Sequence, residues 1–316
     1  LLPEEKKVLG KRGTNDAQAY ELFLLSRQYS IKQGKRYAQV AVNLLKKAVE
    51  RDPNYADAWA RLAGAQQAVQ GDGIDMGDPQ VSLKRALEID TNCASARATN
   101  AKFLANAGRF DEALREIGIA LALDPDSFEV AQRAAGIFMV THRYADAIEA
   151  FEKVVSLAET DFASFSLIAQ CENELGNPER AKSAARRGIA RAEAEIARDP
   201  ANGEALAHGA SLWAFIGDAS KCKEWAARTM LVDPDNANSR YNLACCLIKI
   251  GEIDAGLDHL EAYFNTSRQP DMLIWANEDS DLDSVREDPR YKKLMAAAEA
   301  RLATKPAADE PTAKHG

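Results

Sequence analysis

The sequence predicts an all-α fold: a helical solenoid of about seven two-helix hairpins, closed by a C-terminal capping helix. Three observations predict it. A pattern returns every 34 residues, so that Pro125 and Pro234 each lie 12 residues after a small residue (Ala113, Cys222) and 17 after a glycine (Gly108, Gly217). Within each unit, apolar residues recur at intervals of three and four, which is one face of a helix. The composition is 46% hydrophobic and 28% charged, that of an ordered helical protein. Because each repeat packs only on its neighbours, 316 residues need no division into two ordinary domains.

Residues 1–15 are read as a linker and 16–270 as the array. The first unit, 16–53, places Leu22, Leu25, Ser26 and Tyr29 on one helix and Ala41, Leu45 and Ala48 on the next. Pro53 closes it, and about three extra residues sit around Gln33-Gly34-Lys35. The second unit, 55–91, carries Trp59, Leu62 and Ala63, then Leu83 and Ala86, around a turn swollen by Gly71–Asp78. Units 94–127 and 128–161 show Gly108, Phe110, Ala113, Ile117 and Ala120, then Ala135, Phe138, Tyr144, Ala147 and Phe151. In the fifth unit, 162–200, 19 residues separate Ala181 from Pro200, seven more than from Ala113 to Pro125. Seven residues are about two helical turns, so a longer second helix is expected there. Units 203–236 and 237–270 show Ala210, Trp213, Gly217 and Cys222, then Leu243, Ala244, Gly251 and Leu260. The Asp-Pro pairs stop second helices, because the residue before proline avoids the helical region.

A final apolar face needs a cap, and 271–303 supplies one. Met272–Trp275 begin it, Leu282 and Val285 lie in a short turn, and Asp288 caps a last helix opened by Pro289. Tyr291, Leu294, Met295 and Leu302 would face inward. Residues 304–316 lack apolar anchors and read as a disordered tail.

This layout resembles the tetratricopeptide repeat (TPR), on Trp59-x2-Leu62-Ala63, Ala147-x3-Phe151 and Ala113-x3-Ile117-x2-Ala120. Arg97 and Asn100 depart from it, replacing apolar residues of the third unit, so that end of the helix is expected to pack less tightly. The resemblance implies a right-handed superhelix whose concave side is lined by the first helix of each repeat. Carried onto this chain, that wall holds Arg61, then Thr99, Lys102 and Asn106, then Gln132, Arg133 and Met139. It continues with Gln170, Asn173 and Glu174, with His208, Ser211 and Phe215, and with Tyr241, Asn242 and Lys249. Arg61, Lys102 and Arg133 put one basic group per repeat on it, a row that either grips an acidic or extended peptide or only solvates a wide groove. The Lys/Asn clamp that chaperone-binding members close on a terminal carboxylate is missing, since Ala98, Ala163 and Leu167 stand at its positions.

A narrower resemblance links Thr14–Leu24, the long helix before Asp199-Pro200 and Trp275–Tyr291 to TPR regions that follow class III adenylate or guanylate cyclase domains in bacteria. It implies a regulatory, dimerising or sensing arm of a larger signalling protein. The start Leu1-Leu2-Pro3 is neither a signal peptide nor an initiator methionine, and a longer parent is expected.

The net charge of −8 argues against nucleic acid, which needs a basic face. No apolar stretch approaches the ~20 residues of a membrane span. Five cysteines, Cys93, Cys171, Cys222, Cys245 and Cys246, form no zinc or redox spacing and suggest a reducing, cytoplasmic setting. No HExxH, phosphate loop or nucleophile elbow occurs. The Asp72-Asp75-Asp78 loop lacks the spacing and closing Glu of a calcium loop. The expected function is a non-enzymatic scaffold without cofactor or metal. Its expected partner is a protein or peptide segment, acidic where the basic row engages it, or a second copy of the chain.

Overall fold

The computed structural model describes residues 13–31, 35–71, 73–266 and 272–303. The Gln33-Gly34 insertion, Asp72 and the tail from 304 lie outside the described residues. Hairpin 1 is α1 (Ala17–Ile31) and α2 (Lys35–Arg51); hairpin 2 is α3 (Ala56–Gly71) and α4 (Pro79–Ile89). Hairpin 3 is α5 (Ala94–Asn106) and α6 (Phe110–Leu123); hairpin 4 is α7 (Phe128–Val140) and α8 (Tyr144–Leu157). Hairpin 5 is α9 (Ser164–Glu174) and α10 (Pro178–Arg198); hairpin 6 is α11 (Gly203–Ile216) and α12 (Ala219–Val232). Hairpin 7 is α13 (Ala237–Lys249) and α14 (Ile253–Thr266). Then come α15 (Met272–Glu278), a 3-10 turn (Ser280–Val285) and α16 (Pro289–Ala303). The architecture is an all-α solenoid, and no strand occurs among the described residues.

Helix boundaries follow local chemistry. Ser127, Asn202, Asp218 and Asn236 accept from backbone N–H groups at the starts of α7, α11, α12 and α13, satisfying donors that have no intrahelical partner. Gly108, Gly176, Gly217 and Gly251 take φ of 71°, 74°, 89° and 87° in the turns within hairpins 3, 5, 6 and 7. Hairpin 4 puts His142 at that position with φ 56°, the one non-glycine with positive φ among the described residues.

Small residues let the helices close on one another. Ala113, Ala120, Ala135, Ala147, Ala185 and Ala210 are fully buried. The first helices stack, with α3 on α5, α5 on α7, α9 on α11 and α11 on α13. Helix α10 runs 21 residues against 14 for α8 and α12. From α10, Arg191 donates to the carbonyls of Val155, Ala158 and Asp161 at 2.9–3.1 Å, satisfying the end of α8.

The swollen turn of hairpin 2 is pinned from inside. Gln66 donates through Nε2 to the Met76 carbonyl at 3.0 Å and accepts from the Ser82 hydroxyl at 2.6 Å. Asp75 accepts from the Gly77 amide and Asp78 from the Gln80 amide, so both acids serve the turn and the helix start. Trp59 is only half-buried, its indole N–H on the Pro53 carbonyl at 3.0 Å, while Tyr55 is the fully buried ring beside it. Asn100 borders an open hollow of about 480 Å³ with Leu83 and Leu87.

Candidate functional site: the concave wall

At the N-terminal half, the expected row of basic groups is altered by an acid on the same wall. Glu129 of α7 accepts from Arg61 of α3 at 2.9 Å and from Arg133, one turn along α7, also at 2.9 Å. Arg61 also lies over the Phe23 ring, 5.9 Å from its centroid. Burial pushes the Glu129 carboxyl up, but Arg133 and Arg61 override it and hold it below the usual carboxylate range. Arg61 and Arg133 are therefore engaged within the chain. Lys102 is exposed and Asn106 half-buried. Beside Glu129 a hollow of about 270 Å³ is lined by Phe23, Arg27, Asp57, Asp124, Ser127 and Phe128.

The C-terminal half is filled by the chain itself. Asp279 accepts from the Gln170 amide at 2.7 Å and from the Tyr241 hydroxyl at 2.7 Å, with the Cys245 thiol at 3.6 Å. Lys249 donates to Asp281 at 2.5 Å while its ammonium sits 4.2 Å above the Phe215 ring. His142 Nε2 meets Glu278 at 2.9 Å, and its Nδ1 meets the Tyr144 hydroxyl at 2.7 Å. The Trp275 ring lies against Gly136 of α7, 3.9 Å from where a Cβ would sit. Leu282 and Val285 are buried on the opposite side of this turn, among Leu257, Leu260, Phe264 and Tyr291.

The anticipated wall residues thus separate into groups. Gln170, Tyr241, Lys249 and Phe215 come together around Asp279 and Asp281. His208 pairs with Asn242 at 3.3 Å; burial pulls its pKa down to about 4, so the ring is neutral near pH 7, and its Nδ1 has no partner. Asn173 is exposed away from both. Missing from the sequence reading were Glu129, which gathers the arginines, and Trp275, Glu278 and Asp279, which occupy the wall. The available signal was the acidic run Glu278–Asp283 in a chain expected to hold acidic segments.

All five cysteines are buried and free, and burial pushes the Cys171 and Cys93 thiols up to about 12. Among the described residues, no group of three or more His, Cys, Asp or Glu side chains is placed to hold a metal ion, and no helix is long and apolar enough to cross a membrane.

No family model matches the chain, and no curated protein matches its sequence. Solved structures do. PilW, a type IV pilus biogenesis factor, aligns with a TM-score of 0.50 and 17% identity over 73% of this chain and 99% of its own. Human IFIT1, solved as a dimer with m7Gppp-AAAA, aligns with a TM-score of 0.57 and 16% identity over 91% of this chain and 72% of its own. A tetratricopeptide repeat protein from Parabacteroides merdae aligns at 0.48 and 14% identity, over 90% of this chain and all of its own. At these identities the likeness concerns the fold, a TPR-type helical solenoid.

Proposed function

We propose that this chain is a non-enzymatic scaffold that binds an acidic protein segment along its concave wall. One observation carries the reading. The wall already holds an acidic stretch of the chain, through Gln170, Tyr241 and Lys249 on the first helices of hairpins 5 and 7. Side chains that grip one such stretch by charge-assisted hydrogen bonds have the chemistry to grip another. Lys102 of α5, and Arg27 in the hollow that Phe23 and Phe128 share with Asp57, Asp124 and Glu129, add cationic groups to the proposed site. A cyclase-linked regulatory role rests on the sequence resemblance alone.

The test is selection of a displayed peptide library on the full chain. Acidic sequences should emerge, and their binding should fall with Lys102→Glu and Arg27→Glu but persist with Val81→Asp on the exposed side of α4. Peptides indifferent to both groove substitutions would remove the reading.

A further inference from the structure

Four hairpins place glycine at the left-handed position of their turn, and hairpin 4 places His142 there. A side chain in that conformation carries a steric cost and persists where something holds it. His142 is held within its own hairpin by the Tyr144 hydroxyl, at 2.7 Å from Nδ1, and also from outside its repeat. Its ring meets Glu278, 136 residues away, at 2.9 Å. Trp275 reaches the same hairpin at Gly136, and Asp279 reaches Gln170 of hairpin 5.

The other side of this segment is anchored differently. Met272, Ala276, Leu282 and Val285 are buried in the apolar cluster of hairpin 7 and α16. The segment therefore crosses the groove. It is fixed on hairpin 7 by apolar burial and by the Tyr241 hydroxyl on Asp279, and on hairpins 4 and 5 by polar contacts of Glu278 and Asp279. The His142 and Glu278 side chains are 55% and 38% exposed, so water competes for their contact.

We propose that Trp275–Asp279 is an internal strap that occupies the site of the partner's acidic segment. This rests on the groove reading above and names the occupant more closely. It is a short helical segment with an aromatic residue followed three and four positions later by carboxylates, the spacing of Trp275, Glu278 and Asp279 at the end of α15. The partner's acids take His142 and Gln170, while Leu282 and Val285 keep the cap seated. The strap sets the apparent affinity, because a site that is closed most of the time binds in proportion to its open fraction.

The experiment is fluorescence anisotropy of a labelled peptide copying residues 273–283, titrated with the full chain. The Trp275→Ala, Glu278→Gln variant should bind it about tenfold more tightly than the wild type, as the open fraction rises. Adding His142→Gly and Gln170→Ala should remove that gain; glycine at 142 matches the other turns, so the fold is kept. The single Glu278→Gln variant, altered only at an exposed carboxylate, should bind more tightly than wild type even if the double variant loses its circular dichroism signal. Equal binding to wild type and strap variants, or binding to none of them, overturns the proposal. Library peptides that need Lys102 yet ignore every strap substitution would refute the strap while leaving the groove reading standing.

Discussion

Arg61 and Glu129 stand 68 residues apart and meet at 2.9 Å, tying hairpin 2 to hairpin 4 across the curve of the solenoid. Arg133 completes the group on the other carboxylate oxygen. Removing the acid leaves two guanidiniums facing each other in a largely dry site. Glu129→Ala should cost about 3 kcal/mol in urea melts. Glu179→Ala, which removes an exposed pair with Lys182, should leave the melt unchanged.

The Asp281 carboxyl gives the cap a pH dependence. Burial first, and the Asp279 carboxylate second, push its pKa up to about 6, with Lys249 pulling the other way. The folded value lies above the ordinary aspartate value of 3.8, so the ionised form opposes folding. That cost is present above pH 6 and is relieved as pH falls toward 4. Wild type should therefore gain about 2 kcal/mol relative to Asp281→Asn between pH 7.5 and 4.5. Denaturant melts of both proteins across that range check it, and parallel curves would contradict it.

Two glycines should respond in opposite directions. A Cβ on Gly209 of α11 would sit 2.0 Å from the Trp225 ring, so Gly209→Ala should destabilise by about 3 kcal/mol through overpacking. Gly118 lies exposed inside α6 with nothing within 4 Å of an added Cβ. Gly118→Ala should stabilise by about 1 kcal/mol, since alanine favours the helix. Thermal melts of the two variants read both effects.

Trp59→Ala tests how the second hairpin is packed. The ring touches two apolar clusters yet remains half-exposed, so about 2 kcal/mol is expected, below the cost of emptying a sealed core site. Tyr55→Ala, at the fully buried ring, should cost more in the same urea melts.

The hairpins were legible because their punctuation is local. Gly108, Gly217 and Gly251 mark turns, Asp124 and Asp233 end helices, and the surplus before Pro200 became the added turns of α10. The final helix opening at Pro289, with Asp288 accepting from the Arg290 amide, was legible for the same reason. The wall was less so. Its longest-range polar contacts join residues 68, 109 and 136 positions apart, and they depend on how tightly the solenoid curves. A 34-residue period places Arg61 and Arg133 on one face but says nothing of Glu129 between them. His142 takes the turn position that glycine holds in hairpins 3, 5, 6 and 7, yet its partner Glu278 belongs to the cap and shares no repeat with it.

The most direct measurement of the central claim is amide hydrogen exchange of the full chain, alone and saturated with a library-selected acidic peptide. Binding along the concave wall should slow exchange in the first helices α5, α7 and α9 and speed it in residues 275–281 as the strap yields. Slowed exchange confined to the second helices, with residues 275–281 unchanged, would contradict the account.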